Sequence, residues 1–482
     1  MQWTLFKACC VELELTFLGF FRRVNFVVHS TRRSFLQKGV ALSATLSSSH
    51  LLTAAQLFGK DSNSRPKIAA IGVGGSRGRY SQGKAIANRA AAFGDMVAVC
   101  EVDDLCANEF NASFGNKLAT YRDYRKMLEK EKPDVVTIGT PDHWHVPISI
   151  AALHAGCDVY CEKPLTLTIE EGFRIRDAVK ETGKTFQVGT QQRSEHDLLF
   201  LKAIALVQSG RLGDDVNAYV AIGGAESGGL FANTPVPNDF DWNMWLGPAP
   251  AKDYCDERRK EFRWFFEYSG GKMTDWGAHH IDIAQWALAV DRTGPTSVVA
   301  KGTFPSIVPE NYDWDSFLDG KIALPNSFNT ALTFNIDLNY ANGSKISVND
   351  VYSRPDGTSF PNGILFEGSE GRIYVNREKL TGKPIEELSK TDNAELDEAI
   401  IKLYKGKQPG NHMGNFFECI ADGSEPISDV ETHHRTMTSC HLCNISLMLG
   451  RELAWDPDKE HFVNDSQADA LMARTSRPGF SM

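Results

Sequence analysis

Two hydrophobic rhythms divide this chain. Up to about residue 192, short and nearly continuous apolar runs recur as Lys67-Ile68-Ala69-Ala70-Ile71, Met96-Val97-Ala98-Val99-Cys100, Asp134-Val135-Val136-Thr137-Ile138 and Asp158-Val159-Tyr160-Cys161. Such runs, bounded by turn formers, suit strands buried on both faces, as in a parallel sheet. Helix-compatible stretches at 82–93 and 147–155 separate them, so this half reads strand, helix, strand. After Gln192 the rhythm changes: a helix over 198–209 and polar loops rich in Gly, Pro, Asn and Trp lead into alternating runs. Leu332-Thr333-Phe334-Asn335-Ile336 and Ile346-Ser347-Val348 flank Asn342-Gly343, and Leu365-Phe366-Glu367-Gly368 precedes Arg372-Ile373-Tyr374-Val375. Alternation around an Asn-Gly turn predicts hairpins, hence an antiparallel sheet with one face on a core.

The expected organisation is a leader over 1–59, a parallel α/β domain over 66–192, an α+β domain with an open, largely antiparallel sheet over 193–457, and a C-terminal tail over 458–482. The charged stretch 379–407 is expected as solvated helix and loop, and His433-His434-Arg435 as solvated polar surface. In the segment 239–248, DFDWNMWLGP, the bulky residues between loop formers predict a rim whose tryptophans serve the core more than a ligand.

At 482 residues the length accommodates two domains of about 100–200 residues plus the leader. The apolar fraction of 42% and charged fraction of 23% are those of a globular protein and exclude disordered and membrane architectures. A net charge of −10, with no basic stripe, argues against nucleic acid as a partner. The ten cysteines are scattered rather than set as a disulfide scaffold. Cys440-His441-Leu442-Cys443 has no second pair to complete a zinc site, and the helical period around it predicts a core helix. His143, His145, His279, His280, His433 and His434 follow no metal-ligand spacing, so no metal is expected.

Within the leader, Arg32-Arg33 precede Phe35-Leu36, a moderately apolar run and small residues at Thr53-Ala54-Ala55. That is the order of a twin-arginine export signal, against the alternative of a basic amphipathic start to the first domain. The run is too short and too rich in Ser and Thr for a stable membrane span. Export by this route carries folded proteins, so a folded periplasmic protein is expected. A signal of this kind does not require residues 1–30; a start codon placed too far upstream explains them most plainly, with an anchor as the rival.

The candidate chemistry begins where the first strand runs into Gly72-Val73-Gly74-Gly75-Ser76-Arg77-Gly78. A strand, a glycine turn, a helix and a second strand ending at Glu101 compose the first βαβ unit of a Rossmann dinucleotide-binding domain. Gly72 permits the tight turn, and Gly74 lets the backbone approach a pyrophosphate at the helix N-terminus. Gly75, Ser76, Arg77 and Gly78 complete the turn, with the third glycine one place later than in the usual pattern. Glu101 is placed to accept hydrogen bonds from ribose hydroxyls and to repel a 2′-phosphate, favouring NAD; Arg77 leaves NADP open. Loops at the carboxyl ends of parallel strands bind ligands, so Thr140, Pro141 and His145, with Glu162 and Lys163, should line one crevice, joined by Gln191. Asp275 and His279 lie four apart, one face of a helix, where the carboxylate can orient the imidazole or share a substrate hydroxyl. The plain alternative is a capping Asp275 and a satisfied, partly buried His279.

The glycine turn, the Thr140-Pro141 loop with His145, the Ala155-Gly156 turn and Glu162-Lys163-Pro164 resemble, in order and spacing, the glucose–fructose oxidoreductase and inositol dehydrogenase (Gfo/Idh/MocA) family. The likeness runs from about residue 67 to about residue 457; the shifted third glycine, and Asp142 where many members carry Asn, depart from the pattern. The resemblance implies oxidation or reduction of a sugar or polyol with a nicotinamide cofactor. It also implies an active site at Asp275 and His279, and homo-oligomers formed through the second domain's sheet. In that setting His279 takes the hydroxyl proton, Lys163 steadies the developing alkoxide or itself acts as base, and Asp275 orients His279. Arg193, Trp276 and His280 are the further substrate contacts expected. Two other functions compete with a net dehydrogenase: a redox-neutral glycosidase or lyase using tightly bound NAD, and a nucleotide-binding protein without catalysis.

Overall fold

The computed structural model describes residues 65–74 and 81–481, together with Leu57. Arg32 and Arg33 of the expected leader, and Gly75, Ser76, Arg77 and Gly78 of the turn, lie outside the described residues.

The apolar runs become a six-stranded sheet of β1 (Lys67–Ile71), β2 (Asp95–Cys100), β3 (Ala119–Tyr121), β4 (Val135–Ile138), β5 (Asp158–Cys161) and β6 (Phe186–Val188), ordered β3-β2-β1-β4-β5-β6. Every pairing is parallel. Helices α1 (Gln82–Ala90), α2 (Asp104–Ser113), α3 (Tyr124–Glu131), α4 (His145–His154) and α5 (Ile169–Thr182) make the crossovers. Their starts are written locally: Ser81, Asp103, Asp123 and Thr168 each accept a hydrogen bond from a backbone N–H of the first turn. Pro147 sits inside α4 rather than opening it, because the first turn of a helix has no partner for that N–H. Order reverses between β1 and β4, and the loops diverging there leave a crevice at the strands' carboxyl ends.

The close packing of α1 on the sheet falls to Gly83. A Cβ there would lie 1.8 Å from the Gly72 carbonyl oxygen, and one on Gly139 would lie 2.3 Å from the Gly83 Cα. Gly72 itself has φ +76° and no room beside Thr140, so both its conformation and its contact demand glycine.

The second domain is built on a nine-stranded sheet of β7 (Asn217–Ile222), β8 (Ser297–Thr303), β9 (Thr333–Asn339), β10 (Lys345–Asn349), β13 (Asn362–Gly368), β14 (Gly371–Val375), β15 (Leu380–Thr381), β16 (Leu453–Asp456) and β17 (His461–Phe462). The order is β15-β14-β13-β7-β10-β9-β8-β16-β17, and a separate hairpin joins β11 (Tyr352–Ser353) to β12 (Ser359–Phe360). All pairs in the large sheet are antiparallel except β7 with β10. Both predicted hairpins form, Lys345 opposite Asn339 and Gly371 opposite Gly368.

Helices α6 (Leu199–Gln208), α7 (Gly277–Ala287), α8 (Lys390–Leu403), α9 (His412–Asp422) and α10 (Val430–Leu449) complete the second domain's long helices. Cys440 and Cys443 are fully buried in α10, as expected of a core helix. His433 and His434 are buried too, which corrects the expectation of a solvated surface. The reason is that α10 is wedged between α5 on one side and α7 and the sheet on the other, leaving no face for water. Several of its polar groups are satisfied at long range instead: His434 pairs with Glu460, His441 with Thr166, and Asn444 donates to the Gly270 carbonyl. The stretch 379–407 holds α8, mostly exposed but burying Leu396 and Ile400. The C-terminal segment closes the core rather than trailing from it: Ala468, Leu471 and Met472 are buried, and the Met472 carbonyl accepts from Glu170 N–H at 2.9 Å.

Candidate active site

A cavity of about 370 Å³ lies at the carboxyl ends of β1, β2 and β4, walled by residues from both domains. Its floor comes from the first domain. Glu101, at the end of β2, accepts hydrogen bonds from the N–H groups of Gly74, Val102 and Asp103 at 2.7, 2.8 and 3.1 Å. Burial pushes its carboxyl up, and these three donors oppose the shift. Glu162 accepts from Gln82 and Gln191, each at 2.8 Å, tying α1 to the ends of β5 and β6. His145 spans two loops, with Nδ1 2.6 Å from the Pro164 carbonyl and Nε2 2.9 Å from that of Thr140. Gly72, Gly74, Glu101, Thr140, Pro141, His145, Glu162, Lys163 and Gln191 therefore share one cavity.

These residues fit a dinucleotide. Gly74 leaves open backbone where a Cβ would lie 2.9 Å from the Glu101 carboxylate, so nothing but main chain meets a ligand there. The Thr140 hydroxyl is buried without a hydrogen-bond partner, a polar atom waiting for a ligand group.

The opposite wall carries Asp275, Trp276 and His279. Lys163 Nζ donates to Asp275 Oδ1 at 2.6 Å and to its carbonyl at 3.1 Å, joining the two domains. Arg263 Nε lies 3.5 Å from the same Oδ1. Burial alone would raise the Asp275 carboxyl, but Lys163 and Arg263 hold it well below the usual carboxylate range.

Asp275 does not orient His279, which corrects the expectation from their spacing. The helix breaks between Lys272–Asp275 and Gly277–Ala287, and two cations take the carboxylate in place of one neutral ring. His279 Nδ1 is instead buried with no hydrogen-bond partner. Burial, and then the charges of Lys163 and Arg377, drive the His279 pKa well below that of free histidine, so the ring is neutral.

Two expected substrate contacts lie elsewhere. Arg193 is fully engaged inside the protein: Nε and Nη2 donate to Asp282 at 2.8 and 2.7 Å, Nη1 donates to the Ile427 carbonyl, and its guanidinium stacks 4.5 Å from Trp286. His280, one residue round α7 from His279, accepts from Gln192 and donates to Asn362 away from the cavity. Trp276 does line the cavity, beneath the Arg377 guanidinium at 4.6 Å.

Arg377 and Arg263 were not legible as site residues, since the loop after β14 and the turn before α7 reach the cavity only through the fold. Trp245 and Phe240 of the predicted rim also line it, with Trp245 stacked on Trp242 in an aromatic cluster. Among the described residues no group of His, Cys, Asp and Glu could hold a metal ion, and no helix is long and apolar enough to cross a membrane.

Residues 67–190 match the family described as "Oxidoreductase family, NAD-binding Rossmann fold", and residues 226–319 and 329–482 match "Oxidoreductase family, C-terminal alpha/beta domain". The chain is similar to D-glucoside 3-dehydrogenase of Escherichia coli K12, 25% identical over 345 residues that cover 66% of this chain and 90% of that one. A shorter likeness, 39% over 70 residues and 14% of each chain, is to alpha-N-acetylgalactosaminidase of Shewanella oneidensis. Among solved structures, the WlbA dehydrogenase from Bordetella pertussis in complex with NADH and UDP-GlcNAcA shares the fold. It is 18% identical with a TM-score of 0.55, covering 81% of this chain and 98% of that one. With both domains matched and the observed topology in agreement, the chain belongs to the Gfo/Idh/MocA family of NAD-binding oxidoreductases.

Proposed function

We propose that this protein oxidises or reduces a hydroxyl-bearing carbon of a sugar or polyol, with Lys163, Asp275 and His279 as its reaction centre. The observation that carries this reading is the Lys163–Asp275 ion pair, which sets an ammonium from one domain in the same cavity as the imidazole from the other and as Gly74 and Glu101. NAD, when bound, supplies the hydride acceptor or donor. With His279 Nδ1 sealed in the protein, Nε2 is the ring atom left to meet a substrate hydroxyl, and a neutral ring can receive its proton. Lys163, held by Asp275, donates to the oxygen on which negative charge develops. Trp276 gives an apolar face to the ring of a sugar or cyclitol.

Glu101, buried and turned toward Gly74, supports NAD over NADP, because a carboxylate there repels a 2′-phosphate. The redox-neutral alternative is not favoured: the likeness spanning nearly a whole relative is to a dehydrogenase, and that to a glycosidase covers a small part. Export through the twin-arginine leader and homo-oligomer formation through the second domain's sheet belong to the same proposal. The motif at Arg32-Arg33 supports the first. The second is supported by the exposed outward positions Lys301 and Thr303 of β8 and Thr333 and Asn335 of β9. Cell fractionation and analytical ultracentrifugation test these two points.

The central test is a screen of monosaccharides, glycosides and cyclitols for reduced-nicotinamide absorbance and bond cleavage together. On the substrate found, His279→Ala and Lys163→Ala should each lower turnover by at least about a hundredfold. Near-normal rates in either variant would remove that residue from the reaction centre.

A further inference from the structure

Two arginines of the second domain reach the cavity beside the reaction centre. Arg263 lies in the short helical turn Phe262–Trp264, with its guanidinium carbon 4.8 Å from the Phe262 ring centre and its Nε 3.5 Å from Asp275 Oδ1. Arg377 stands in the tight turn between β14 and β15, where Asn376 Oδ1 accepts from the N–H groups of Glu378 and Lys379, each at 2.9 Å. Its Nε donates to Gln192 Oε1 at 3.0 Å, and its guanidinium carbon lies 4.6 Å from the Trp276 ring centre. Neither the amide nor the ring carries a charge. Gln192 is fully buried and its Nε2 reaches His280 Nδ1 at 3.3 Å, so the contact that orients Arg377 is itself anchored to α7. Stacking and a bond to a buried amide fix the plane of a guanidinium before a ligand arrives, which lowers the ordering cost of binding.

Among the described residues, the charged lining of this end favours donors. Lys163, Arg263 and Arg377 can only donate. The carboxylates near them are already engaged: Asp275 Oδ1 takes Lys163 and Arg263, Asp142 accepts from Ser269 at 2.5 Å, and Glu162 accepts from Gln82 and Gln191 at 2.8 Å. A sugar hydroxyl donates as well as accepts and makes poor use of such a wall, whereas an ionised carboxylate or phosphate only accepts and gains most from a guanidinium. The same cations bear on His279, whose pKa is lowered first by burial and then by Lys163 and Arg377. An anion beside Arg377 offsets the share due to the cations and leaves the ring a better acceptor for the hydroxyl proton. We propose that the substrate is an anionic sugar, a sugar acid or a sugar phosphate, and that Arg377 is the specificity-determining residue that takes its charged group. The inference rests on the sugar and polyol reading above and narrows it to one charge class.

The experiment uses the full chain with NAD present. Calorimetric titration compares D-glucose with D-glucuronate and D-glucose 6-phosphate, and D-galactose with D-galacturonate and D-galactose 6-phosphate, and the same probes are assayed for nicotinamide reduction. At least one anion should bind about tenfold or more tightly than its neutral partner, the scale of one charge-assisted hydrogen bond, and the arm that responds tells a carboxylate from a phosphate. Arg377→Met keeps an apolar stem over Trp276 and should cut that anion-to-neutral ratio at least about tenfold; Arg377→Lys keeps the charge without the planar fork and should fall between. A cooperative melt checks that each variant is folded. Neutral sugars that bind as tightly as their anionic partners and are oxidised would overturn the anionic substrate and leave the dehydrogenase standing. An anion preference undiminished in folded Arg377→Met would overturn the role of Arg377. Anion binding that depends on Arg377, with no nicotinamide reduction by any probe, would uphold the anion site and count against the dehydrogenase reading, and no binding by any probe would overturn both. The preference of the unaltered chain decides the charge class even if the variants fail to fold.

Discussion

Replacing Asp275 with Asn keeps the side chain's shape and removes its charge, and the consequence separates two accounts of the site. Oδ1 accepts from Lys163 Nζ at 2.6 Å and lies 3.5 Å from Arg263 Nε, with the Lys163 and Asp275 side chains 14% and 16% exposed. A hydrogen bond between charged groups contributes about 1.5–3 kcal/mol, and stripping one partner from a buried pair costs about 3–5 kcal/mol. The pair is largely but not wholly sealed, so Asp275→Asn should lower the unfolding free energy by about 2–3 kcal/mol, measured by urea denaturation. Lys163 then loses its placement, and turnover should fall by about a hundredfold, the scale of a small misplacement of a reacting group. A double-mutant cycle identifies the partner. Coupling of Asp275→Asn with Lys163→Met should be about 1.5–3 kcal/mol, and with His279→Ala below about 0.5 kcal/mol. A larger coupling to His279 than to Lys163 would refute the geometry and restore the orientation expected from their spacing.

Three further outcomes are expected. Glu101→Ser should weaken NAD relative to NADP in competitive binding, and an unchanged preference would show that Glu101 does not meet the ribose. Gly83→Ala should destabilise the first domain by about 1–3 kcal/mol, the usual cost of overpacking, because its Cβ would fall 1.8 Å from the Gly72 carbonyl oxygen; a melting temperature equal to that of the unaltered chain would contradict the contact. Stability should fall as pH drops from about 6.5 toward 4, because burial lowers His143, His280, His412 and His433 to about 4. Unfolding lets each ring take a proton in that window, so the unfolded chain binds more protons and each ring removes about 1.4 kcal/mol per pH unit. Carboxyls raised by burial, Glu171 to about 7 together with Glu101, Asp142 and Glu162, work in the opposite direction, while His145, His279 and His441, also lowered by burial, add to the fall. A melting temperature that holds or rises between pH 6.5 and 5 would contradict the burial of these rings.

The chain's local rhythm determined a good deal of this protein. β1, β2, β4 and β5 were visible because a strand buried on both faces must be apolar throughout, and the β9–β10 hairpin because Asn342-Gly343 interrupts two alternating runs. The motif residues Gly72, Glu101, Thr140 and Lys163 share a cavity because ends of parallel strands converge there whatever the rest of the chain does.

Partnership was decided only by the tertiary structure. Asp275 stands four residues from His279, yet its carboxylate goes to Lys163, 112 positions away, since the electrostatic gain follows distance in space and charge rather than helical spacing. Arg193 and His280 read as substrate contacts until Asp282 and Asn362 take up their polar atoms. His433 and His434 look like surface because a polar residue normally seeks water, and they are buried because the Leu165 N–H for His433, Glu460 for His434 and the packing of α5 against α10 replace that water. A sequence displays which groups need partners; only the folded chain brings those partners within hydrogen-bonding distance.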